Sequence, residues 1–377
     1  MRARDLFAGT GWGVACQRLG IAEDGWEIMP EARATRAVHG MRNAGKDVRE
    51  VLGHEGNYEL EIASPSCKRY SMAGNGAGRR ALDAVLRGVQ RYAEGSPMTW
   101  AESVALVGDE DAALTLEPLR VALDSSASYL VWEQTPAVLP VWRTCAAVLR
   151  DRGWSVETAI LNAEQYGVPQ TRRRAVLIAR RDGKAAAMPT ITHSRFHTQD
   201  PKRLDVGVKP WVSMAEALGW TAGQAEAVSN YGTGGDPRNR GVRRDAEPSA
   251  TITSKADRVK MRASAMTRAA VRDSSEPAPT ITGGHDYNDR IWLRNGNQEK
   301  ACERAADQPS GTLFFGQRAN WCEWVPNGGK VTIEQAALLQ TYPRGFEFEG
   351  TKGKQFEQCG NAVPPLLAEA ILSAFLS

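Results

Sequence analysis

The sequence predicts an α/β fold: a Rossmann-like, mostly parallel sheet with crossover helices on both faces, and a smaller β-rich segment inserted before the chain returns to the sheet. Three observations carry this expectation. From Arg4 to about Arg181, short apolar strand-like runs alternate with helix-like stretches, the pattern of βαβ units. After Pro189 the texture changes to Gly, Pro, Arg and Thr, with few periodic segments. From Val331 the chain reads as helical again, and its last stretch is apolar enough to need a sheet to cover. With 377 residues, 42% of them apolar, the chain can bury a large core, and its length favours two domains.

The elements follow in order. "RDLFAG" reads as the first strand and runs into the glycine-rich turn "GTGWG" before a helix, where a ligand can approach the backbone and meet the helix N-terminus. "GWEIM" is the next strand, followed by the helix "EARATRAVHG". Glu27 is placed to accept hydrogen bonds from ribose hydroxyls, and Asp47 in "GKDVREVL" to meet an adenine amine; read alone, either is equally an ordinary exposed carboxylate. "LEIAS" is a strand leading to "PSCKRYS", where Cys67 stands between a Ser-Pro-Ser turn and the pair Lys68-Arg69. It is either a nucleophile supported by positive charge or a buried thiol beside a loop. The helix-like "RALDAVLRGVQRYA" and "EPLRVALDS" precede the strand "YLVWEQ". That strand puts Glu133 at its end, partly desolvated and suited to proton donation, or else to a strand-end ion pair. After the helix "PVWRTCAAVLRDRG", "YGVPQTRRRAVLIARR" sets Arg172 and Arg174 on one side of an entering strand, to face a phosphate or a carbonyl, while Arg173 faces away. In the middle segment "EPSATIT", "EPAPTIT" and "QPSGTLF" recur about 30 residues apart, each a turn feeding a short strand. "TIEQAALLQTYP" and "NAVPPLLAEAILSAFL" close the chain as helices.

Charge is uneven along the chain. The net formal charge is +3, but Arg195 to Lys300 holds 17 Lys/Arg against 13 Asp/Glu, so the remainder sums to -1. The excess includes "DPRNRGVRR", with Arg238, Arg240, Arg243 and Arg244, which is either a phosphate-contacting loop or a solvated one. The six cysteines form no C-x-x-C pair and no cysteine-histidine ligand spacing, against both a disulfide framework and a zinc or other metal site. No apolar run approaches the roughly 20 residues of a membrane span, and the chain enters its first strand too early for a signal peptide. A cytoplasmic protein with no membrane association is expected.

Taken together and in order, "DLFAGTGWG", "SPSC", "WEQT", "AEQYGVPQTRRR" and "QCGNAVPP" resemble the motif series of the DNA cytosine 5-methyltransferases, over nearly the whole chain. The long arm "EPLRVAL...YLVWEQTPAVLPVW" also resembles an actinobacterial and phage-associated branch of that family. The resemblance implies the S-adenosyl-L-methionine-dependent methyltransferase fold, with residues 1–190 plus 325–377 as catalytic and cofactor-binding domain and 191–324 as target-recognition domain. It implies a monomer acting on double-stranded DNA. Cys67 matches the nucleophile that adds to carbon 6 of a flipped cytosine, and Glu133 the acid that binds ring nitrogen 3 and the exocyclic amine. Arg174, with Arg172, matches the arginines that steady the base carbonyl and the closed site. Phe7, Gly9, Gly11, Glu27, Asp47, Asn361 and Val363 match cofactor positions. Pro65, Lys68, Ser71, Gln170 and the four arginines of "DPRNRGVRR" are the expected substrate contacts.

The chain departs from that pattern in places. The family has Pro-Pro-Cys-Gln and Glu-Asn-Val where this chain has Pro65-Ser66-Cys67-Lys68 and Glu133-Gln134-Thr135. Ser66 restores a backbone donor and loosens the turn. Lys68 favours the thiolate, contacts a phosphate, or with Arg69 meets an anionic group on a carboxylated donor. About 40 extra residues, Met72 to Asp111, either form part of a lid over the flipped base or rest on the outer surface. RNA as substrate, and a non-catalytic DNA-binding relative, are the alternative readings.

Overall fold

The computed structural model describes residues 1–66, 77–195, 205–219 and 332–376, and between the last two stretches 225–228, 242–244, 246–250, 260–263, 292–294, 303–304 and 324–325. The chain divides into two compact units. The first comprises Met1–Val212, Pro248–Ala256 and Ile333–Ser377, and the second Ser213–Glu247 and Asp257–Thr332.

The first unit is built on a seven-stranded sheet. Its strands are β1 (Arg2–Leu6), β2 (Ala22–Trp26), β3 (Arg42–Gly45), β4 (Leu60–Ala63), β5 (Tyr129–Gln134), β6 (Ser155–Asn162) and, after the two-residue β7 (Gln170–Thr171), β8 (Arg173–Arg180). They lie in the order β3-β2-β1-β4-β5-β8-β6. The first five are mutually parallel, and β8 runs antiparallel between β5 and β6. The sheet grows outward from β1 in both directions, so the order reverses between β1 and β4; ligands bind at the carboxyl ends of strands at such a reversal.

Alternate side chains explain why helices cover both faces. Leu130 and Trp132 of β5, with Ala175, Leu177 and Ala179 of β8, enter one core. Val131, Val176 and Ile178 enter the other, with Leu60 and Ile62 of β4. The crossovers are α1 (Gly11–Leu19), α2 (Pro30–Val38), α3 (Ala77–Ala93), α4 (Trp100–Val107), α5 (Glu110–Ala113), α6 (Glu117–Asp124) and α7 (Leu139–Arg150). Val85 and Val89 of α3 pack with Trp142 and Cys145 of α7 in the first core.

The chain returns to this unit through α9 (Ile333–Leu339), α10 (Lys352–Asn361) and α11 (Pro365–Leu376). Together Lys352–Leu376 is apolar and long enough to cross a membrane by composition alone. The run is broken at Ala362–Pro364, and Leu367, Ile371, Leu372 and Phe375 are buried in the second core beside Trp12 and Ile21. Each such side chain contributes roughly 1.5–3 kcal/mol of burial free energy.

The second unit contains, among the described residues, α8 (Met214–Leu218) and two small antiparallel sheets. One joins β9 (Ala225–Val228) to β10 (Val242–Arg244) and β12 (Lys260–Ala263); the other joins β13 (Trp292–Arg294) to β14 (Glu303–Arg304) and β15 (Trp324–Val325). The first of the three repeated strand entries goes elsewhere. Its β11 (Ser249–Ala250) pairs parallel with β7 in the first unit, and Ser249 N–H donates to the Pro169 carbonyl at 2.8 Å. The strands of the other two copies lie outside the described residues.

Candidate cofactor and active site

At the carboxyl end of β1 the backbone is forced into an unusual shape. Phe7 has φ +63° and Gly9 φ +50°, both in the left-handed region, before α1 begins at Gly11. The two glycines serve different ends. A Cβ built at Gly9 meets nothing within 4 Å, whereas one at Gly11 would lie 2.0 Å from the Val363 carbonyl oxygen. Gly11 is therefore required by a close approach of the C-terminal segment, and Gly9 by its own φ beside open space.

The loop is gripped on both sides of Gly9. Glu27 Oε2 accepts the Gly9 N–H at 2.9 Å, and its Oε1 accepts the Met29 N–H at 2.7 Å. Arg36, fully buried on α2, donates from Nη1 to the Gly9 carbonyl at 2.9 Å and from Nη2 to both oxygens of Glu23 at 2.7 and 2.8 Å. Sequence reasoning missed Arg36. Its signal was Gly25, where a Cβ would lie 2.1 Å from Arg36 Nη2.

Asp47 caps a short 3₁₀ turn by accepting the Arg49 N–H at 3.0 Å, and both its oxygens accept from the Arg49 guanidinium. That side-chain hydrogen bonding holds its carboxyl below the usual carboxylate range, so Asp47 is an anion at neutral pH. The Arg49 guanidinium in turn lies 5.2 Å from the Trp100 ring centroid.

At the end of β5, Glu133 is 4% exposed, with Oε1 2.6 Å from Arg174 Nε. Oε1 is buried against that guanidinium and makes no other hydrogen bond among the described residues. Its neighbour Gln134 donates from Nε2 to the Pro65 carbonyl at 2.6 Å and to the Ser66 carbonyl at 2.9 Å. The departure at Gln134 thus has a structural use: it ties β5 to the turn that precedes Cys67.

One cavity of about 390 Å³ joins these parts. Phe7, Gly9, Gly11, Glu27, Asp47, Asn361 and Val363 all line it, as do Pro65, Glu133 and Arg174. Two expected site residues are elsewhere. Arg172 is buried under the C-terminal segment and donates to the carbonyls of Gly360 at 3.1 Å and Ala362 at 2.9 Å. It shares a side with Arg174, but the chain rather than a ligand occupies that place. Gln170 is likewise fully buried, its Nε2 donating to Gln340 Oε1 at 3.1 Å and toward the Leu339 carbonyl at 3.4 Å. Neither lines the cavity.

Cys67, Lys68, Ser71, Arg238 and Arg240 lie outside the described residues. Arg243 and Arg244 stand on β10, opposite Ala227 and Glu226 of β9. The extra segment is more than surface decoration: Val85, Val89, Tyr92, Met98 and Val107 belong to a core, and Trp100, Glu110 and Asp111 line the cavity.

Comparison with known proteins points to one family. The family profile described as "C-5 cytosine-specific DNA methylase" matches residues 134–377. The Type II methyltransferase M1.HphI of Haemophilus parahaemolyticus is 28% identical over 234 residues, 59% of this chain and 48% of that protein. M.SacI of Streptomyces achromogenes is 33% identical over 32% of each chain. These two alignments therefore span about half and a third of the relatives' lengths. M.HgiDI of Herpetosiphon aurantiacus is 23% identical over 98% of this chain and 92% of its own. Among solved structures, the Entamoeba histolytica methyltransferase EhMeth superposes with a TM-score of 0.55 at 12% identity, covering 100% of this chain and 98% of that one. A Spodoptera frugiperda DNMT2 mutant superposes with a TM-score of 0.54 at 13% identity, covering 100% and 99%. The structural likenesses establish the fold.

Proposed function

Because the chain belongs to the C-5 cytosine-specific DNA methylase family, we propose that it transfers a methyl group from S-adenosylmethionine to carbon 5 of cytosine in a specific sequence of double-stranded DNA, through a covalent adduct with Cys67. The observation that carries this reading is the single cavity in which the glycine loop and Glu27 meet the Glu133–Arg174 pair and the Pro65–Ser66 turn.

The residues fit the donor. Glu27 and Asp47 offer acceptors for ribose hydroxyls and a purine amine, and Gly9 leaves open space at the helix end. Among the described residues, the cavity's three cations, Lys46, Arg49 and Arg174, face six acids, Glu27, Asp47, Glu110, Asp111, Glu133 and Glu357, with Arg49 paired to Asp47 and Arg174 to Glu133. That balance favours a cationic donor over a carboxylated one. S-adenosylmethionine supplies an electrophilic methyl group on a sulfonium.

The chain's own residues do the rest. Addition of the Cys67 thiolate to carbon 6 of the base makes carbon 5 electron-rich, and loss of the carbon 5 proton after methylation expels the thiol. Glu133, which lines the cavity, holds ring nitrogen 3 and the exocyclic amine. Arg174 fixes the carboxyl and faces the base carbonyl. Gln134 sets the turn from which Cys67 extends. The base must leave the duplex to reach them. Residues 191–324, with their arginine excess, supply target recognition.

Duplex DNA carrying 5-fluorocytosine at the target tests this, because fluorine on carbon 5 cannot leave as a proton does. With S-adenosylmethionine, the wild-type chain is expected to form a denaturation-resistant adduct and Cys67→Ser none. Binding of the duplex without an adduct would overturn the proposal in favour of a DNA-binding relative.

A further inference from the structure

We propose that Trp100, carried into the cavity by the chain's extra helices, is a donor-specificity residue whose indole walls the purine ring of the bound nucleoside. The inference rests on the donor reading above and extends it to a segment that the resemblance leaves without a role.

Trp100 is half-buried, opens α4 and lines the same cavity as Gly9, Glu27 and Asp47. Its helix is capped and packed. Thr99 and Glu102 form a reciprocal cap: Glu102 Oε2 accepts the Thr99 N–H at 2.8 Å, and Thr99 Oγ1 accepts the Glu102 N–H at 3.3 Å. Behind it, Ser103 and Val107 are buried, and α4 rests on α3, whose Val85 and Val89 are in the core. A wall on a well-packed helix keeps its position when a ligand arrives.

The surroundings match a purine. Trp100, Val48 and Leu114 give apolar lining, and Asp47 gives an ionised acceptor for an exocyclic amine. Arg49 joins the two, with its guanidinium over the indole and its hydrogen bonds on Asp47. A flat, apolar ring with one amine-bearing edge satisfies both kinds of contact.

Calorimetric titration of the full chain with S-adenosylhomocysteine and with adenosine tests the assignment. Trp100→Ala is expected to weaken both ligands by about 10-fold, and Trp100→Phe, which keeps a flat wall and the packing, by no more than about 3-fold. In turnover on DNA, the donor KM of Trp100→Ala is expected to rise with kcat and the DNA KM unchanged. Stacking also quenches indole emission, so S-adenosylhomocysteine is expected to quench wild type more than Trp100→Phe. Wild-type binding of both ligands with unaltered affinity in folded Trp100→Ala overturns the assignment alone. Equal quenching in wild type and Trp100→Phe also overturns it. Failure of wild type to bind either ligand overturns the donor reading, and this inference with it.

Discussion

Asp5, in the strand that leads to the glycine loop, is fully buried beside Glu23 and Arg36. Burial, and then the negative charge of Glu23, push its carboxyl well above the usual range, while Arg36 opposes the shift. The sign of the consequence is fixed. In the unfolded chain Asp5 releases its proton near pH 4, but in the folded chain it keeps it to higher pH. Between those values the native state holds the extra proton, so stability falls as pH rises. Asp5→Asn carries no titrating group there. Relative to wild type it is expected to gain stability as pH rises above about 4, read from urea unfolding at a series of pH values. At this scale the sequence disclosed Gly9, Gly11, Glu27, Asp47 and Glu133 among the cavity residues, because glycines and strand-end acids carry local signals. It did not disclose the network of Asp5 on β1, Glu23 on β2 and Arg36 on α2, because charged residues normally face water.

Strands buried on both faces were the legible elements. β1, β4, β5 and β8 are near-continuous apolar runs or end in a motif, whereas β3 and β6 went unread. Those two lie at the sheet edges, and "RNAG" and "SVETAILN" are too exposed and mixed for a clear pattern. Alternation along "QTRRR" placed Arg172 on the side of Arg174, yet alternation says nothing about what fills that side. It is filled by the turn at 360–362, nearly two hundred residues away in sequence. Arg172→Ala is expected to cost about 2–4 kcal/mol in thermal or urea unfolding, since two buried carbonyls lose a charged donor. Because Asn361 and Val363 line the cavity, the donor KM should rise as well. A variant with wild-type stability would show that the turn holds itself.

Across the whole molecule, order mattered more than any one motif. "DLFAGTGWG" alone is a weak signal; five motifs in sequence indicated a family, and the profile match over 134–377 establishes it. The middle segment was less legible because its short strands repeat a local pattern that does not say which sheet each joins. "EPSATIT" joins β7 of the first unit, against the texture of its surroundings. The extra helices were ambiguous for a related reason: the amphipathic pattern of α3 shows that a face is buried, not what lies beyond it.

The central claim is that this cavity serves methylation of carbon 5 of cytosine in DNA, and bisulfite sequencing of DNA from cells expressing the chain tests it most directly. The expected result is conversion-resistant cytosines confined to one short sequence context with wild type, and none with Cys67→Ser. Complete conversion with the folded wild-type chain, or the same protected sites with Cys67→Ser, would contradict it.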